Sequence, residues 1–226
     1  MQPANRAAPA KQPAIRAAPA IVPKIPMILM QTNKHKSADS ILKKLKLKAP
    51  HVQYVFFDDA GCIEFFKQNK LTHYPNIIDK FNSFRSGAHK ADLFRYYYLF
   101  INGGVFIDSD AMLEADVATI VQDYDFFSCD SSYHPGVVFQ GFIGATKNNE
   151  IMRRALDDAY NTDANKLDAD YHLFCRNLNA IVHHYTYPYK IKMYKEQIND
   201  DSSAKVVDDF GNTLLIHYYK NKIVPN

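Results

Sequence analysis

One stretch constrains this chain more than any other: KADLFRYYYLFINGGVFIDSDAML, residues 90–113. Its first half has helical spacing, with Leu93, Tyr96, Tyr97 and Phe100 on one face. Gly103 or Gly104 predicts the end of that helix, because glycine takes the left-handed turn there without strain. Val105, Phe106 and Ile107 follow at once as β-formers. A helix running into a short apolar strand fits a layered α/β sheet, where strands are buried on both faces and ligands collect at their carboxyl ends. Asp108, Ser109 and Asp110 fall at that end.

The rest of the chain extends the pattern. IPMILMQ predicts a buried strand, SADSILKKLKLKA a capped amphipathic helix and HVQYVFFDD a second strand ending in acids, a β-α-β order that favours a parallel sheet. Another helix is expected from Gly61 to Asn69. YDFFSC and VVFQGFIGA read as strands, NNEIMRRALDDAY and DYHLFCRNLNAIVHHY as helices, and NTLLIHYY as a final strand. The expected architecture is α/β: one domain over residues 25–226, with a mostly parallel central sheet flanked by helices. The length is ample for a core of that kind. Before it, MQPANRAAPA and KQPAIRAAPA repeat one Pro/Ala-rich pattern with too little apolar surface to offset ordering, so residues 1–24 read as a disordered tail.

Charge and cysteine usage narrow the function. Of 27 basic residues, Arg6, Lys11, Arg16 and Lys24 lie before Pro26, which leaves 23 against 24 acidic residues. The positive balance therefore sits mostly in the tail, and no nucleic-acid partner is expected. Lys43, Lys44, Lys46 and Lys48 read as the solvated face of a helix. Cys62, Cys129 and Cys175 are odd in number and far apart, which argues against a disulfide framework or a zinc site and points to a reducing, cytoplasmic home. No stretch has the apolar length of a membrane span. A monomer is expected.

Alternation sends Asp108 and Asp110 the same way. Two neighbouring carboxylates repel unless a cation lies near them, and their hard oxygens suit Mn²⁺ or Mg²⁺ better than zinc. Such ions fill their remaining positions with water and phosphate oxygens, which implies a phosphorylated ligand. Asp92 and Arg95, three apart on the preceding helix, share one face and could act together or form a plain surface ion pair.

In order and spacing, the helix acid and arginine, the glycine pair, the apolar strand and the two aspartates resemble the signature of the Asp-x-Asp sugar-nucleotide glycosyltransferases, family 32 in particular. IPMILMQTNK is similar to that family's opening and YVFFDD resembles its second strand. The chain's size is similar to that of glycosyltransferase domains of large algal DNA viruses. The resemblance implies a GT-A-type nucleotide-sugar-binding domain, a Mn²⁺ or Mg²⁺ cofactor, a nucleoside-diphosphate sugar as donor, a glycan or glycoconjugate as acceptor, and retention at the anomeric carbon. Carried over by position, it implies Asp110 as direct metal ligand, Asp108 at the ribose and the metal's water shell, and His217 as a further ligand. Asp92 and Arg95 would hold the donor sugar, Gly103 and Gly104 would approach the nucleotide, and Lys220 or Lys222 would meet the diphosphate. Tyr54, Phe57 or Phe84 could stack on the base, and Gln140 and Asp170 are candidates to assist retention. Met30 and Asn33 stand where the family has His and Trp, and the chain has no tryptophan.

Two readings from other classes stay open. Asp-x-Asp at a strand end also serves metal-dependent phosphohydrolases, although their motif usually lies on the first strand. A non-catalytic sugar-nucleotide-binding module is the other, since fold does not guarantee activity.

Overall fold

The computed structural model describes residues 23–35 and 39–218; the repeated amino-terminal decades and Lys220 and Lys222 lie outside them. In chain order the elements are β1 (Ile28–Thr32), α1 (Asp39–Lys48), β2 (Gln53–Phe57), α2 (Asp59–Gln68), α3 (Ile77–Ser83), α4 (Gly87–Asn102), β3 (Gly104–Ile107), β4 (Ala111–Leu113), α5 (Val117–Val121), β5 (Phe126–Asp130), β6 (Val138–Ala145), α6 (Glu150–Asn161), α7 (Ala164–Ala169), α8 (Leu173–His184), β7 (Ile191–Ile198), β8 (Ala204–Val207) and β9 (Thr213–His217). Short polar residues set several helix starts. Asp58 accepts from Gly61 N at 2.7 Å, Ser86 from Ala88 N and Asn149 from Ile151 N, each satisfying a donor that the first turn leaves open.

The nine strands form one sheet in the order β2-β1-β3-β6-β5-β7-β8-β9-β4. It is mixed, which corrects the expectation of a mostly parallel sheet. The pairs β1/β2, β1/β3 and β5/β7 are parallel, while β3/β6, β5/β6, β7/β8, β8/β9 and β4/β9 are antiparallel. The β-α-β unit behaves as its crossover demands. Consecutive strands make the antiparallel pairs β5/β6, β7/β8 and β8/β9, while β3/β6 and β4/β9 pair across long stretches of chain; β7, β8 and β4 were not foreseen from the sequence.

One consequence of this order positions the site. β3 and β4 are separated in sequence only by Asp108, Ser109 and Asp110, yet they stand third and last in the sheet. The sheet must therefore curl until its far edge returns to the carboxyl end of β3. The Asp-Ser-Asp turn bridges that return, and β4 draws β9 with it, pairing Ala111 with His217.

Core packs on both faces. On one, α4 lies among α2, α3, α6 and α8, and its run from Asp92 to Leu99 is buried almost all round. On the other, Leu29, Val105, Ile107, Phe127, Phe142 and Tyr194 pack beneath α1 and α5. All three cysteines are free. Among the described residues no helix is long and apolar enough to cross a membrane.

Candidate functional site at the carboxyl end of β3

Backbone pairing fixes Asp108 first. Its N–H donates to Gly141 O at 3.0 Å, and its carbonyl accepts from Gln31 Nε2 at 3.0 Å. Asn33 Nδ2 holds the Ser109 hydroxyl at 3.0 Å, and Tyr218 N donates to Asp110 O at 2.9 Å. These bonds tie the turn to β1 on one side and to the end of β9 on the other. His217 Nε2 lies 3.0 Å from Asp110 Oδ1 and 3.8 Å from Asp108 Oδ2. One ligand atom from each of Asp108, Asp110 and His217 can be chosen so that all lie within 4.8 Å of one another.

Two carboxylates and an imidazole nitrogen at that spacing fit a single divalent cation of the Mn²⁺ or Mg²⁺ kind. Burial alone would lower the His217 pKa, but the hydrogen bond to Asp110 and the charges of Asp108, Asp110 and Glu196 outweigh it and hold the imidazole above its usual value. A cation at this site would have to displace that proton, so its affinity falls with pH. The Phe139 ring packs on His217 with centroids 4.8 Å apart and fixes its plane.

Gly141 makes room for this geometry. A Cβ there would stand 2.3 Å from Asp108 Oδ2 and 2.4 Å from the Phe139 ring. Gly141→Ala should therefore push the carboxylate and the ring off position. The expected result is loss of cation affinity of about tenfold or more, measured by Mn²⁺ titration, while wild-type affinity would show that Asp108 has latitude this packing denies it.

Asp92 and Arg95 are not a surface pair. Arg95 is 4% exposed and Asp92 8%. The guanidinium lies 3.4 Å from Asp92 Oδ1 and 3.4 Å from Asp108 Oδ1, donates to Gln140 O at 2.6 Å, and stacks on Phe106 at 3.8 Å. It links the helix acid to the strand-end acid. Burial, opposed by Arg95 and His89, pushes the Asp92 pKa up to about 6. Gln140 sits behind this group, 4% exposed, with Oε1 accepting from Tyr96 OH at 2.6 Å. It borders the site as a brace for Arg95.

The other sequence candidates lie elsewhere. Gly103 and Gly104 stand at the opposite end of β3 from Asp108. A Cβ on Gly103, whose φ is +68°, would come within 2.7 Å of Lys147 N, and one on Gly104 within 2.9 Å of Ile28 O. Their smallness serves strand packing there. The Tyr54 hydroxyl donates to Gln31 Oε1 at 3.0 Å, and its ring lines a cavity of about 80 Å³ beneath α1. Phe57 packs with Phe65, Phe94 and Tyr98. Asp170 pairs with Arg176 and accepts from His172 N. Lys220 falls outside the described residues.

Gln31, Asn33, Phe139, Gly141 and Glu196 were not singled out as site residues from the sequence. Gln31 and Asn33 lie in the amino-terminal motif, where their position at the end of β1 could have drawn attention to them. The other three reach the site only through antiparallel pairing, for which the sequence offers no local signal.

Fold and site together define a mixed α/β protein with an Asp-x-Asp turn at the carboxyl end of β3, where Asp108, Asp110 and His217 could hold a cation. Residues 35–127 match the family model described as the glycosyltransferase sugar-binding region containing the DXD motif. The chain is similar to mannosyl phosphorylinositol ceramide synthase SUR1 of Saccharomyces cerevisiae, with 32% identity over 136 residues, which is 57% of this chain and 30% of that protein. The matched region thus spans less than a third of the curated relative. Among solved structures, PaToxG glycosyltransferase overlays with a TM-score of 0.48 at 13% identity, covering 71% of this chain and 68% of that one. A197 from STIV overlays with a TM-score of 0.32 at 9% identity, covering 88% and 96%. The sequence matches support a glycosyltransferase.

Proposed function

We propose that this chain is a metal-dependent hexosyltransferase that moves a sugar from a nucleoside-diphosphate sugar to an acceptor hydroxyl on a glycan or glycoconjugate, with retention. The observation that carries this reading is the convergence of Asp108, Asp110 and His217 from two strands within a DXD-type region, with Arg95 and Asp92 directly behind. A bound divalent cation would supply Lewis-acid neutralisation of the departing diphosphate. The nitrogen ligand favours Mn²⁺ over Mg²⁺.

The chain's own residues do the rest. Arg95 holds Asp92 and Asp108 in one orientation, so the carboxylate facing the sugar and the one facing the cation are preorganised together. Arg95 and Asp92 are buried, while Asp108 keeps part of its carboxylate open to an incoming ligand. Gln140 and Asp170 are committed to Arg95, Tyr96 and Arg176, which leaves front-face attack as the favoured route to retention over a covalent intermediate. The three free cysteines keep a reducing, cytoplasmic setting as the expected home.

Thermal shift with a panel of donors tests the reading, since a ligand that binds only the native state raises its stability by mass action. UDP-sugars are expected to raise the melting temperature most, and only with Mn²⁺. The name of the yeast relative brings a mannosyl donor into the same panel, beside GDP- and dTDP-sugars. No shift with any of them would sink the proposal.

A further inference from the structure

On β7 the alternating inward positions carry Tyr194 and Glu196. Tyr194 suits a core, its hydroxyl bonded to Ile120 O at 2.8 Å. Glu196 does not, because a carboxylate that is 4% exposed loses its hydration and is tolerated only where donors replace the water. Those donors come from the end of β5. Glu196 Oε2 accepts from Ser131 Oγ at 2.9 Å and from Ser132 N at 2.7 Å, and the Glu196 backbone carbonyl accepts from Ser132 Oγ. Glu196 itself lies outside the group formed by Asp108, Asp110 and His217.

The grip falls where the register of the sheet lapses. β5 and β6 pair Phe126 with Ala145 and Phe127 with Gly144, then slip, and resume with Cys129 opposite Phe139 and Asp130 opposite Val138. The step is two residues on β5 but five on β6, so the ladder that holds the body of β6 does not carry through to Val138 and Phe139. Their placement falls to the loop before them. Ser131 N closes that loop onto Val137 O at 2.9 Å, His134 N donates to Ser131 Oγ at 3.3 Å, and Tyr133 OH reaches Ser202 O in the β7–β8 turn at 2.8 Å. Phe139 then lies against His217, with ring centroids 4.8 Å apart. The charge of Glu196 is among those felt at His217.

We propose that Glu196 is a positioning residue for the cation: by gripping Ser131 and Ser132 it fixes Val138 and Phe139 beyond the slip, and the Phe139 ring in turn holds the plane of His217. This rests on the cation site of the reading above. Glu196 acts through Phe139 rather than by touching ion or substrate, as the outer groups around a metal ligand do. A carboxylate could also serve a cation by its charge alone, and one variant separates the two roles. Both donors converge on Oε2, so a glutamine can present its amide oxygen to them and keep the grip while giving up the charge.

The experiment is a Mn²⁺ titration of the whole chain, wild type and variants, with a melting curve for each. Glu196→Ala should weaken Mn²⁺ binding by about tenfold or more, whereas Glu196→Gln should stay within about threefold of wild type. Phe139→Ala should lose as much as Glu196→Ala, and the double variant no more than either, because both break one chain of contacts. Ser131→Ala keeps the charge and loosens the grip; its expected loss of about threefold or more carries the test if Glu196→Ala does not fold. Equal losses in Glu196→Gln and Glu196→Ala would make the charge responsible instead of the grip and overturn the proposal. So would additive losses in the double variant, or wild-type affinity in either Glu196→Ala or Ser131→Ala. Failure of the cation site itself appears separately, as a wild-type chain that binds no Mn²⁺, and removes the positioning role with it.

Discussion

Asp110→Ala should abolish cation-dependent nucleotide binding and lower sugar transfer by about a thousandfold or more, while the protein keeps its fold. The rate effect follows from the role assigned to the cation, because losing charge neutralisation at the leaving group costs several kcal/mol of transition-state stabilisation, roughly tenfold per 1.4 kcal/mol. The small stability effect follows from placement. Asp110 lies in a turn with its side chain 31% exposed, and its partner there is His217 at 3.0 Å. His217 is only 6% exposed on its side chain, so losing this partner costs about 1–2 kcal/mol, too little to unfold the domain. Calorimetry with Mn²⁺ and nucleoside diphosphate, beside a melting curve, reads both quantities on one preparation. Wild-type nucleotide affinity in the variant would remove Asp110 from the cation site.

Asp92→Asn should have two effects of opposite kind. Transfer should fall by roughly 30- to 1,000-fold, the loss of one charge-assisted contact made mainly in the transition state. Stability at neutral pH should rise. Burial raises the Asp92 pKa from 3.8 to about 6, so ionising it in the folded chain is unfavourable. The folded state then holds more protons than the unfolded one between those values, and stability declines as pH climbs through that window. Above about pH 6 the ionised carboxyl costs on the order of 1–3 kcal/mol, which asparagine avoids. Below about pH 4 both chains carry a neutral side chain and the gain should disappear. Denaturant melts at several pH values test the sign, and a destabilised variant at neutral pH would show that the Arg95 ion pair outweighs desolvation. Arg95→Ala should behave in the opposite way, losing about 3–5 kcal/mol because it leaves two acids facing a cavity. A position where activity falls and stability rises is held for function against the fold's own preference.

The sequence made the parallel half of the sheet and the two aspartates legible because those features are local. Helical spacing into Gly103, then three β-formers, marks α4 and β3 within one window, and the amino-terminal β-α-β order fixes their neighbours. The curl was hidden. It depends on β4, three residues long, finding β9 across about a hundred positions, and on the β7–β8 hairpin, where the lysines of KIKMYKEQI blur the alternation. For the same reason His217 could be suggested only by resemblance, and Gly141 not at all, since its role is to leave space beside Asp108. Tyr54 and Phe57 illustrate the converse. Aromatic side chains near a strand end invite a base-stacking role, yet one packs under α1 and the other into a ring cluster on the opposite face. Arg95 and Asp92 were readable as a pair by spacing, but their burial was not, because α4 is covered on nearly every side.

Product release from a panel of UDP- and GDP-hexoses, run with Mn²⁺, with EDTA, and with Mn²⁺ restored after EDTA, measures the central claim directly. The prediction is nucleoside-diphosphate release from at least one donor with Mn²⁺, its loss in EDTA and its return with the ion. Full turnover in EDTA, or no turnover with any donor in any condition, would contradict it.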